Sequence, residues 1–230
     1  MAISITTTAQ LALDHGIKCL VTGSSGAGKT RLSSTLNGNT LILSAEAGLL
    51  SLRQYCIDTI TIRNIAEMRE AYKYIATGEG QAYENIVLDS LSEIAEQILS
   101  AEKAAVKDAR LAYLTLGDQV ISLTKAFRDL PGKNVVLIAK SERQRDEVTG
   151  TMLYSPSFPG SKIAQAIPFL VDEVFFLHAK RGKDGAIERF LQTCQDHQYV
   201  AKDRSGALDE FEPADLSIVF NKIRQISANN

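Results

Sequence analysis

Cysteine is scarce in this chain and never paired: Cys19, Cys56 and Cys194 stand far apart, with no C-x-x-C among them. That spacing excludes a cysteine-based zinc site and a secreted disulfide framework, and it predicts reduced, mostly buried thiols. Charge of one sign is lacking as well. With 25 Lys and Arg against 27 Asp and Glu, the formal net charge is -2, so any contact with nucleic acid has to come from a local element and not from the whole surface. No apolar run approaches the length of a membrane span, and no basic segment leading into a long apolar stretch opens the sequence; the expectation is a cytoplasmic protein with no membrane partner. Internal repeats, low-complexity runs and linkers are missing too. A 45% hydrophobic and 23% charged composition excludes disordered and fibrous classes, and 230 residues suffice for one α/β domain covering 1–230.

What is present is organised around Gly23 to Thr30, GSSGAGKT, which fits G-x-x-x-x-G-K-[ST] letter for letter. It follows the apolar run Ile17 to Val21 and precedes a helix-competent segment, the context that a phosphate cradle requires. Glycines at 23, 26 and 28 let successive amides of Ser24, Ser25, Ala27 and their neighbours, on to Arg31, turn toward a polyphosphate. The helix beginning near Gly28 adds the positive end of its dipole. Lys29 is placed to neutralise β and γ oxygens. Thr30 offers a hydroxyl to Mg2+, which prefers oxygen ligands.

Residues 1–16 read as a lead-in, and His15 as a turn residue with no second histidine nearby. Helix over Arg31 to Leu36, strand over Thr40 to Leu43 and a short strand at Ile60 to Ile62 follow. Glu46 then sits just past the second strand, at the edge where open α/β sheets bind ligands. Ile65 to Ala76 carries apolar residues at helical spacing. Asn85 to Ser90, NIVLDS, is an apolar strand ending in Asp89, which would lie beside the phosphate loop and hold magnesium directly or through water. Helix is predicted over 91–112 and again over 117–130, then strand from Asn134 to Ala139 with Lys140 at its tip. Residues 142–161 are rich in turn formers, and too long for an idle connector. A short helix at Ile163 to Phe169, a strand at Val171 to Leu177, a hairpin turn at Arg181 to Gly185 and a terminal helix over Pro213 to Ile226 complete the pattern. His178 on the late strand is expected to be packed or at an edge. Strands alternating with helices after a phosphate loop predict a mostly parallel sheet flanked by helices on both sides.

GSSGAGKT, LILSAEAG, NIVLDS, VVLIAKS and AKDRSG, in that order, resemble the motifs of the RecA-like ATPase core. More narrowly, order, size and ending are similar to the bacteriophage ATP-binding proteins grouped with RecA-like single-strand annealing proteins, over residues 17–226. The resemblance implies ATP and Mg2+ as ligands, a RecA-like P-loop NTPase fold, and Glu46 as the acid that polarises the attacking water. Lys140 falls where RecA proper has a γ-phosphate-sensing glutamine, so a point charge replaces an amide. Lys202 and Arg204 match the K-x-R segment that RecA-family ring helicases present to the neighbouring subunit's nucleotide, implying self-association into a ring or filament. The stretch 141–162 is by resemblance a single-strand DNA loop. Arg143, Arg145 and Lys162 would track phosphates there and Tyr154 and Phe158 would stack on bases, while Glu142, Asp146 and Glu147 dilute the positive field.

Three readings follow. The first is a RecA-like ATPase that binds single-stranded DNA in phage recombination, annealing or replication. The second is a small-molecule P-loop kinase, for which Arg143 and Arg145 are the only nearby arginine pair on a loop. The third is a nucleotide-gated interaction module that hydrolyses ATP weakly.

Overall fold

The computed structural model describes residues 5–8, 11, 15–46, 48–145 and 150–228. Its strands are β1 (Lys18–Thr22), β2 (Thr40–Ser44), β3 (Asp58–Thr61), β4 (Asn85–Asp89), β5 (Asn134–Ile138), β6 (Ser141–Arg145), β7 (Met152–Pro156), β8 (Glu173–Arg181), β9 (Ile187–Gln192), β10 (Lys202–Asp203) and β11 (Phe211–Pro213). Nine of them form one sheet in the order β11-β9-β8-β1-β5-β4-β2-β3, with β10 beside β8. From β8 to β3 every neighbouring pair is parallel. The strands β9, β10 and β11 add an antiparallel flank.

Among the described residues the helices that cover the sheet are α1 (Lys29–Leu32), α2 (Ile65–Thr77), α3 (Leu91–Ala105), α4 (Ala109–Arg128), α5 (Ser161–Leu170) and α6 (Leu216–Ala228). Successive strand side chains face opposite sides, so each strand feeds two cores. Leu20, Leu43, Leu88 and Leu137 enter the one closed by Met68, Ile94, Leu116 and Ile167 of α2 to α5. Cys19, Val21, Val87 and Val136 enter the other, closed by Leu32, Leu216 and Phe220. Burial on both faces is why β1, β4 and β5 are buried along their whole length and carry the apolar stretches Cys19 to Val21, Ile86 to Leu88 and Val135 to Ile138.

Local signals set the helix starts. Asn64 Oδ1 accepts from the Glu67 N–H at 2.9 Å, while the Glu67 carboxylate accepts from the Arg63 N–H at 2.8 Å. Ser90 Oγ accepts from the Glu93 N–H at 3.2 Å to begin α3. Asp108 Oδ1 accepts from the Arg110 N–H at 2.9 Å, and this cap divides the helix expected over 91–112 into α3 and α4. The expected loop 142–161 is instead largely a β6–β7 hairpin in register from Ser141 opposite Pro156 to Arg145 opposite Met152, with Asp146 and Glu147 outside the described residues. Of the cysteines only Cys19 is buried; Cys56 and Cys194 are exposed, contrary to expectation. His178 is packed, its Nε2 2.9 Å from Gln192 Oε1. Among the described residues no helix is long and apolar enough to cross a membrane.

Phe127 of α4 is fully buried and meets Tyr72 of α2 edge-on, ring centroids 5.3 Å apart. Phe127→Ala removes a ring from a close-packed site and is expected to cost about 3–5 kcal/mol. Urea unfolding followed by circular dichroism checks this; a loss below about 1 kcal/mol would contradict the packing described.

Candidate functional site

The parallel strands end on one edge, and the sheet order inserts β5 between β1 and β4. The chain leaving β1 and the chain leaving β4 therefore face each other across the tip of β5, at a crevice of the kind in which open α/β sheets bind ligands. The loop after β1 bends through Gly26 at φ +76 and Gly28 at φ +107, where a side chain would be strained. A Cβ on Gly28 would also lie 3.0 Å from Arg189 Nε. The Leu32 N–H donates to the Gly28 carbonyl at 3.0 Å, which starts α1.

Five side chains converge there. Lys29 folds back over the loop, its ammonium donating to the carbonyls of Gly23 at 2.8 Å and Ser24 at 3.0 Å. Thr30 Oγ1 donates to Asp89 Oδ2 at 2.7 Å. The Ala45 N–H donates to the Asp89 carbonyl at 2.8 Å, locking the end of β2 onto the end of β4. That register brings the Glu46 carboxylate to the Ser90 hydroxyl, which donates to it. The Asp89–Ser90 peptide is cis. Lys29, Thr30, Asp89 and Glu46, together with Lys140 and Arg189, line a cleft of about 750 Å³.

Burial dominates the electrostatics. It raises the Asp89 pKa above the ordinary carboxylate value, with Glu46 pushing the same way and the Thr30 hydrogen bond and Lys29 opposing. Burial likewise lowers the Lys29 pKa, against the pull of Glu46 and Asp89. The site thus holds a cation and two acids, with backbone amides at a helix start. Among the described residues no group of three or more His, Cys, Asp or Glu could enclose a metal by itself. The pair Thr30 and Asp89, both oxygen donors, fits Mg2+ that completes its shell with phosphate oxygens and water.

The other expected residues fare differently. Ser24, Ser25 and Gly26 are exposed at the loop's crest, Ala27 is buried, and Arg31 is exposed on α1. Lys140 borders the cleft, but its ammonium is bound to Glu93 at 2.9 Å and Glu96 at 3.0 Å on α3, so it does not present a free charge to phosphate. Arg143 and Arg145 are exposed on β6, and Lys162 is exposed in the first turn of α5. Phe158 is a correction: it is 7% exposed in the helix-side core and has no face for a base. Tyr154 stacks on Tyr199, centroids 5.0 Å apart, and Arg143 lies over its ring.

Lys202 is also corrected. Its ammonium donates to the carbonyls of Pro168 and Val171, both at 2.6 Å, and so ties down the end of α5 instead of facing outward. Arg204 is exposed and paired with Asp172 at 3.0 Å. The residue that sequence reasoning missed is Arg189 on β9, whose Nε donates to the Ala27 carbonyl at 2.8 Å. No motif surrounds it; its only signal was an arginine in the strand after the Arg181 to Gly185 turn.

Glycine-built loop, lysine, hydroxyl and paired acids on a mostly parallel sheet define a P-loop NTPase. The chain belongs to the AAA domain family, whose model matches residues 15–205. None of the curated proteins matches it. Among solved structures, a KaiC-like protein from the hyperthermophilic archaeon Pyrococcus horikoshii is similar, with 13% identity, a TM-score of 0.49, and coverage of 82% of this chain and 84% of that one.

At the end of the sheet away from the site, where Glu173 stands opposite Cys19 near the start of β1, β10 places Asp203 against Glu173. Glu173 is 1% exposed, and its pKa is pushed up to about 8 by burial and then by the Asp203 charge, with the Ser205 N–H opposing. A carboxyl held above its unfolded value contributes stability that is complete below about pH 4.5 and is lost as pH rises through about 8. Each pH unit inside that window costs up to about 1.4 kcal/mol. Urea midpoints measured from pH 5 to 9 should therefore fall more steeply for the wild type than for Glu173→Gln; parallel profiles would contradict the assignment.

Proposed function

We propose that this AAA-domain protein binds ATP with Mg2+ at the cleft, hydrolyses it, and uses the cycle in handling single-stranded DNA, in phage recombination, annealing or replication. The observation that carries the hydrolytic part is the convergence of Lys29, Thr30, Asp89 and the Ser90-bound Glu46 on one crevice. Lys29 exchanges its loop carbonyls for β and γ oxygens, and Thr30 and Asp89 hold the metal. Magnesium, when bound, neutralises charge on the phosphates. Glu46 orients a water molecule and accepts its proton, while the Ser90 hydroxyl fixes which way the carboxylate faces.

The DNA part rests on Arg143 and Arg145 on β6 and Lys162 on α5, all exposed and all on the segment that leaves the site directly after β5. Exposed cations suit a phosphate backbone. In this reading Arg204 exchanges Asp172 for the nucleotide of a neighbouring copy, so that assembly raises turnover. The kinase reading is weaker because the arginine pair lies on a strand of the hairpin and not on a lid over the phosphates.

Glu46→Gln should leave ATP affinity within about threefold while turnover falls by about a hundredfold or more. Lys29→Ala should abolish detectable nucleotide binding. Phosphate release and fluorescent-nucleotide titration measure the two, and undiminished turnover in Glu46→Gln would remove its role. Anisotropy of a labelled oligonucleotide with ATP and magnesium tests the second part: Arg143→Ala/Arg145→Ala should weaken binding, and wild-type protein that binds no single strand at low salt would end the DNA reading.

A further inference from the structure

We propose that Arg189 is a phosphate ligand acting in cis, gripping the α- and β-phosphates of the bound nucleoside di- or triphosphate. The inference rests on the nucleotide reading above and adds a residue to which no motif points. It comes from how the antiparallel flank is attached: β9 pairs with β8, and β8 lies beside β1, so β9 carries Arg189 to the outside of the loop that follows β1.

The side chain is half-buried and fixed at one edge only. Its Nε donates to the Ala27 carbonyl at 2.8 Å, and the guanidinium carbon lies 3.8 Å from where a Cβ on Gly28 would be. Among the described residues its terminal nitrogens have no hydrogen-bond partner and no carboxylate lies within 4.0 Å of it. A partly desolvated guanidinium without a counter-charge is costly, and a planar fork held by Nε leaves its end free for two parallel bonds to an oxyanion. A latch for the loop would need the Nε bond alone.

Position selects the phosphates. Thr30 and Asp89 mark the metal end of the cleft, whereas Arg189 stands with Gly28 and Arg31 where that cleft meets a second depression of about 370 Å³, which Tyr55 and Ile218 also line. That junction is where the charged chain gives way to the nucleoside. Arg189 is therefore a contact that ADP and ATP share, present in one copy of the chain and independent of assembly.

The test titrates mant-ADP and a non-hydrolysable ATP analogue into wild type, Arg189→Gln and Arg189→Lys, with unfolding midpoints of each protein measured without nucleotide. The expected result is a loss of about tenfold or more for both ligands in Arg189→Gln, a smaller loss in Arg189→Lys, and unfolding midpoints within about 2 °C of wild type. Undiminished ADP affinity in Arg189→Gln overturns the inference and leaves the nucleotide site standing. A full loss in both variants with melting several degrees lower also overturns it, making the arginine a latch. Wild-type protein that binds neither ligand sinks the nucleotide reading itself.

Discussion

The 2.7 Å hydrogen bond from Thr30 Oγ1 to Asp89 Oδ2 is the contact on which the rest of the site depends, because it joins the helix that follows β1 to the end of β4, which is not β1's neighbour. β1 and β4 each pair with β5, so their ends stand about 10 Å apart across it, and the Thr30 side chain closes that gap from the first turn of α1. The register continues outward: Ser44 stands opposite Asp89, and the Asp89 carbonyl takes the N–H groups of Ala45 and Glu46. One pairing error of a single residue in β4 would turn Asp89 into the core and carry Glu46 away with it. The two apolar layers that fix this register are thus as much a part of the site as the loop.

The same geometry explains a balance of charge. Asp89 is nearly inaccessible and Lys29 is partly so, and burial opposes the ionised form of both. Each is held in place by a polar neighbour that a ligand can replace: Thr30 for the acid, and two loop carbonyls for the ammonium. The cleft is preorganised without being saturated. Binding then asks for a local exchange of partners, with Lys29 leaving two loop carbonyls for phosphate oxygens.

Legibility in the sequence followed the range of the contact. Gly23 to Thr30 and Asn85 to Ser90 act through their own backbone, so their spelling carries their geometry, and both lie as expected at the ends of β1 and β4. The cap at Asp108 was equally local but was overridden by the helical periodicity around it. Phe158, Lys140 and Lys202 were misread because their fate is set by distant partners: the helix-side core, two carboxylates on α3, and the carbonyls at the end of α5. Arg189 was invisible for the same reason, since 162 residues separate it from Ala27. Turn formers at 142–161 concealed a hairpin, because pairing between β6 and β7 is a property of register and not of composition.

Beside the Lys140 ion pairs to Glu93 and Glu96, the hairpin is hung from α3 by one buried hydroxyl that binds both its feet. Ser92 Oγ accepts from the Lys140 N–H at 2.9 Å and donates to the Ser157 carbonyl at 2.7 Å, while the Ser157 N–H donates back to the Lys140 carbonyl at 2.8 Å. Both feet of the hairpin are thereby pinned two residues from Ser90, the group that touches Glu46. Whatever tilts the first turn of that helix tilts the projecting ribbon with it, as a bracket bolted to a beam must follow the beam.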